Sequence, residues 1–150
     1  MNKPRALLAT SAVFLSAALV ASYFQSQEPA IKATDVLTWD CESPEYKPES
    51  IILTCADGGW SLQAIRWKTW TAEGAEGTGT WRENLCEPNC AEGENVEAQV
   101  TVELSDLTPY NGKFYLRTID MFTPDGKDFP WGRSGSIEWD LIEFIEKANV

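Results

Sequence analysis

Val96-Glu97-Ala98-Gln99-Val100-Thr101-Val102-Glu103-Leu104 decides the fold: five apolar residues alternate with four polar ones without a break. Successive side chains of a β-strand point to opposite faces, so this segment carries one face for a core and one for water. Downstream, Asn111-Gly112 is a turn into a strand from Lys113 to Phe122, and Pro124-Asp125-Gly126-Lys127 closes it. Upstream, Gly77 to Glu83 (GTGTWRE) reads as a weaker strand whose glycines mark a bulge or a close backbone approach. Ser50 to Cys55 (SIILTC) and Trp60 to Trp67 flank Asp57-Gly58-Gly59 and should pair as a hairpin, and Val36 to Asp40 is the first strand. In the last segment Ile137, Trp139 and Leu141 alternate as in a strand, while Ile137, Leu141, Phe144, Ile145 and Ala148 also fit a helix. The paired Trp and Ile, and the lack of an evident N-cap leading into a full helical turn, favour a strand from Ser136 to about Phe144. Seven short strands and no helix long enough to cross over between parallel strands predict an all-β fold, a small antiparallel β-sandwich or barrel.

The chain has 150 residues, 23 acidic against 12 basic, a net charge of −11 and no histidine. That length fits one domain, expected over residues 36–150. The missing histidine removes the Ser-His-Asp triad, the Cys-His pair, the imidazole metal ligand and the general base whose ordinary pKa lies near neutrality. The acidic balance argues against nucleic acid, whose phosphates are bound by Lys and Arg stripes absent here.

Lys3 and Arg5 precede an uncharged apolar run from Ala6 to Ala21, the order of a secretory signal peptide. Val20-Ala21-Ser22 offers small residues for cleavage just ahead of Tyr23, so residues 1–22 are read as a leader and residues 23–35 as a flexible lead-in. Removing the leader deletes two basic residues and no acidic one, leaving a more acidic mature chain. The rival is an uncleaved anchor over residues 6–24, just short of the roughly 20 apolar residues that span a bilayer, and this is the one route to a membrane. The protein is thus expected to be secreted.

Export would place Cys41, Cys55, Cys86 and Cys90 where disulfides persist. Four cysteines allow three connectivities, and the local one, Cys41–Cys55 with Cys86–Cys90, has a physical logic. Pro44 and Pro48 would stiffen a loop between neighbouring strands, whose closure is worth about 3 kcal/mol in the chain-entropy model. Pro88-Asn89 is turn chemistry that brings the second pair of sulfurs together. The spacing of Cys41 and Cys55 does not suit a zinc knuckle, and no histidine is present to activate a thiol, so neither a metal nor a cofactor is expected.

Cys41…Pro44…Pro48…Ile51-Ile52-Leu53-Thr54-Cys55-Ala56-Asp57-Gly58-Gly59, then Trp67-x-x-Trp70, Gly77-Thr78-Gly79-Thr80 and Asn84-x-Cys86-x-Pro88-x-Cys90-Ala91-x-Gly93 form a pattern. It resembles a group of small exported proteins common in actinobacteria, over about half the chain, from Cys41 to Leu104. The resemblance implies export and a small disulfide-bonded domain and supplies no active site. This chain is more acidic around Cys86 than the group, so no charge-based role carries over.

Two features remain as candidate surfaces. Of seven tryptophans most suit a core, but Trp70 and Trp131 lie among loop-type residues, and an exposed indole in a secreted β-protein stacks on a sugar ring or anchors a protein. Between Glu73 and Glu103 there are eight Glu and one Arg, a solvated face or a patch that steers a basic partner. Asp120, Asp125 and Asp128 lack the spacing of a calcium loop. The sequence therefore reads as a non-enzymatic extracellular binding domain for a glycan or a basic protein. Its rival is a glycosidase-like hydrolase using two carboxylates.

Overall fold

The computed structural model describes residues 30–143; the leader, the alternative anchor and the stretch after Glu143 lie outside them. The strands are β1 (Val36–Asp40), β2 (Ser43–Glu45), β3 (Ile51–Ile52), β4 (Trp60–Trp70), β5 (Ala75–Asn84), β6 (Asn95–Tyr110), β7 (Lys113–Phe122) and β8 (Ser136–Asp140). They form one curled sheet, a half-barrel in the order β2-β1-β7-β6-β5-β4-β3, with β8 also pairing β7. The all-β expectation and both local disulfides hold.

Strands β4 to β7 are an antiparallel meander because short turns join them. Asn111 and Gly112, at φ 48° and 76°, make the left-handed two-residue turn that matches strand twist between Tyr110 and its partner Lys113. On β6 the deciding stretch faces as expected: Val100, Val102 and Leu104 are buried, Val96 and Ala98 half-buried, and Glu97, Gln99 and Glu103 exposed. Gly77 explains its own presence, since a Cβ there would stand 2.8 Å from the Arg66 carbonyl oxygen and 3.1 Å from the Trp67 ring.

The concave side is filled by one contiguous core in which Val36, Ile51, Leu62, Trp81, Val102, Leu116, Ile119 and Met121 are fully buried. Each buried aliphatic side chain contributes roughly 1.5–3 kcal/mol, whereas exposed ion pairs such as Lys68–Glu76, at 3.8 Å, contribute about 0–1. The core, not surface charge, holds the sheet.

Four details differ from the sequence expectation. β1 runs parallel to β7, with Val36 opposite Phe114 and Leu37 opposite Tyr115. No crossover helix is needed, because the intervening strands carry the chain around the curl. β2 was not foreseen; Cys41 and Glu42 turn the chain so that Ser43, Pro44 and Glu45 lie along β1 as an eighth, edge strand. The described part of the lead-in is not loose, for Ala33–Asp35 forms a 3₁₀ turn and Ile31 and Ala33 pack on the core. Finally, β8 stops at Asp140, whose Oδ1 accepts the backbone N–H of Ile142 at 3.1 Å and of Glu143 at 3.0 Å. Asp140 thus ends the strand by capping the turn that follows it, short of the expected end at about Phe144, which lies outside the described residues.

The two ends of the curl meet at a seam with no continuous ladder. Cys41, just after β1, is bonded to Cys55, just after β3, with Cα atoms 5.1 Å apart. The Trp70 indole at the end of β4 donates to the Val36 carbonyl of β1 at 2.9 Å. A covalent staple and an indole hydrogen bond thus do what strand pairing does in a closed barrel. The second bridge, Cys86–Cys90, pins the β5–β6 loop, where the Asn84 side chain donates to the Cys90 carbonyl at 2.9 Å and accepts from the Cys86 N–H at 2.8 Å.

Candidate functional site

The two tryptophans singled out from sequence do not form an exposed platform. Trp70 is the last residue of β4, not a loop residue, and is only 5% exposed because its ring fills the core at the seam. Trp131 does lie in the β7–β8 loop, but it is half-buried, its ring stacked on Phe129 at 4.9 Å and its indole N–H given to Glu83.

Glu83 is the second departure. Counted by sequence among the acidic surface, it is 3% exposed on the inward face of β5. Its carboxylate accepts from the Trp131 indole at 3.0 Å, from the Trp81 indole at 3.4 Å and from the Arg133 guanidinium through two nitrogens. Arg133 in turn lies over the Trp60 ring, 4.2 Å from its centroid. Burial pushes the Glu83 pKa up, but the hydrogen bonds from Arg133 and Trp131 and the Arg133 charge outweigh it and hold the carboxyl below its ordinary value. A carboxylate so engaged fastens the β7–β8 loop and cannot act as a general acid.

Part of the acidic surface is arranged by strand register. Glu76 of β5 lies opposite Glu103 of β6, Glu103 opposite Asp120 of β7, and Asp120 opposite Glu138 of β8, on the outer face. Burial first, and then the charges of Glu103 and Asp106, push the Asp120 pKa up. The residues considered for calcium are dispersed in role: Asp125 pairs with Lys127 at 3.0 Å, and Asp128 accepts the Gly135 N–H at 3.2 Å. Among the described residues no group of three or more Cys, Asp or Glu side chains is placed to hold a metal.

A concave site lies at the seam. β1 runs along β7 in parallel and β8 antiparallel, on the same edge, so their C-terminal ends converge head-on. The Thr38 hydroxyl bonds the Leu116 carbonyl and the Leu141 N–H bonds the Arg117 carbonyl, which brings Trp39-Asp40 and Trp139-Asp140 to the same point. The gap left there is a cleft of about 350 Å³, bounded by Trp39 and Trp139, the Cys41–Cys55 bridge, and the β3–β4 loop with Thr54 and Asp57. Ligand sites run from about 300 to 1,000 Å³ and combine apolar walls with a few polar groups.

Each polar wall has a definite state. Asp140 is consumed by structure: its Oδ2 takes Arg117 Nε at 2.9 Å and a second guanidinium nitrogen at 2.6 Å, while Oδ1 caps the following turn. Asp57 is open to solvent, and its pKa is lowered by the Gly59 backbone N–H and the Thr54 hydroxyl. Thr54 Oγ1 also accepts the Trp60 N–H at 3.0 Å, and the Gly58 N–H closes the loop on the Thr54 carbonyl at 2.8 Å. Sequence reasoning assigned Trp39 and Trp139 to the core and Asp57 to a turn. The repeated Trp-Asp pair at two strand ends was the available signal, but only the topology makes the pairs neighbours. No protein-family model, curated protein or solved structure matches the chain.

Proposed function

We propose that this is a secreted, non-enzymatic binding domain whose ligand, an extracellular glycan, occupies the seam cleft. The observation that carries the reading is the convergence of Trp39 and Trp139 on one cleft of about 350 Å³ beside the disulfide. Indole faces are apolar surfaces suited to the C–H face of a sugar ring, and a bridge-anchored loop lowers the ordering cost of binding. The disulfides agree with an oxidising compartment, as do the basic and apolar N-terminal residues and the likeness to small exported proteins.

The test is a fluorescence titration of the chain with cell-wall polysaccharides, repeated with Trp39→Ala. Loss of an anchoring indole weakens binding roughly thirtyfold, or about 2 kcal/mol, with thermal melts confirming that the variant is folded. Unchanged affinity in the folded variant removes the cleft from consideration.

One observation favours the hydrolase rival: Asp120 and Glu103 are opposed carboxylates, and the Asp120 proton is held above its ordinary pKa, the arrangement by which acid and base roles separate. Release of reducing ends from a polysaccharide, abolished by Asp120→Asn, decides for that reading.

A further inference from the structure

We propose that the seam cleft takes an amine-bearing sugar, with the ring against the Trp39 and Trp139 indoles and the ammonium against Asp57; this rests on reading the cleft as the ligand site. Among the described residues the cleft walls contain no Lys or Arg, while Asp57, Asp140 and Glu143 all border it. An anionic ligand would enter a site of its own charge in a chain of net charge −11.

The choice between a neutral and a cationic sugar turns on Asp57. Asp140 is matched by Arg117, so its charge is already compensated. Asp57 has no Lys or Arg partner among the described residues, and hydrogen bonds from Gly59 and Thr54 favour its ionised form. A neutral ring stacked on the indoles would cover this carboxylate while offering it only hydroxyls. A ring carrying an ammonium gives the carboxylate a charge-assisted hydrogen bond, and the quadrupole of each indole face attracts the same cation. One ligand chemistry thus satisfies both kinds of wall.

The test compares two oligomers of one backbone, β-1,4-linked glucosamine and its N-acetylated form, titrated into the full chain while the indole N–H signals of Trp39 and Trp139 are followed by NMR. The expected result is that both signals shift with the amine oligomer, which binds at least tenfold more tightly than the acetylated one, a preference that weakens with salt. Asp57→Asn retains an acceptor for the Gly59 N–H, keeps the fold, and brings the two affinities to within threefold. Equal affinities in the parent chain, or a preference untouched by Asp57→Asn, overturn the cationic assignment and leave the glycan cleft standing. If neither oligomer moves the Trp39 and Trp139 signals, the cleft reading fails and the inference with it.

Discussion

The indole N–H of Trp131 donates to Oε2 of Glu83 at 3.0 Å, joining residues 48 apart in the chain. With Arg133 on the same carboxylate, the β7–β8 loop is fastened to β5 by charge and hydrogen bonds at the end of the core. A buried carboxylate with three partners is a point where small changes have large effects.

Glu83→Gln leaves Arg133 without its counter-charge beside the Trp60 ring. Breaking a buried pair costs roughly 3–5 kcal/mol, and because the Arg133 side chain keeps 30% exposure the expected loss is about 2–3. Urea unfolding at neutral pH measures it.

The same carboxylate sets an acid limb of stability. Its folded pKa lies below the unfolded value of about 4.3, so its contribution is complete above that pH and is lost as pH falls through the folded value. Denaturation midpoints followed from pH 6 downward should drop more steeply in the parent chain than in Glu83→Gln.

Asp120 works in the opposite sense. Raised in the folded state by burial and by Glu103 and Asp106, it favours folding while protonated and opposes it once ionised. Asp120→Asn should stabilise the domain by about 0.2–1 kcal/mol at neutral pH, the scale of a cross-strand like-charge pair, with the gain vanishing below about pH 4. Melting temperatures at the two pH values check both parts.

On β6, Val100→Asp places an unpaired carboxylate at a position 2% exposed and should cost several kcal/mol, enough to unfold a domain whose total stability is about 5–15. Gln99→Asp, on the wet face, should change little. Circular dichroism melts of the pair test the facing of the strand.

Trp70→Phe keeps most of the buried ring and removes the hydrogen bond to Val36, so the expected cost is about 1–2 kcal/mol. A loss of ligand affinity without loss of stability would instead return Trp70 to the contact surface.

Strand β6 was legible because nine residues alternate without interruption, and β1 and β7 have the bounds read for them, those of β7 from its flanking turns. The extension of β6 to Tyr110 was hidden by Ser105, Asp106 and Pro109, poor strand formers that pairing with β7 carries along. Glu83 could have been placed: the period of two puts it on the face of Gly79 and Trp81, and only the habit of counting glutamate as surface obscured this. The cleft could not, because Trp39 and Trp139 become neighbours only when β1 and β8 share one edge of β7, one parallel and one antiparallel. Local patterning does not encode that choice.

The seam staple has a consequence for association. A half-barrel ends in strand edges, and unpaired edge N–H and C=O groups are templates for a second chain. By bonding the segment after β1 to the segment after β3, Cys41–Cys55 turns these edges toward one another. Reduction removes that tie, and the reduced chain is expected to associate through these edges more readily than the oxidised one.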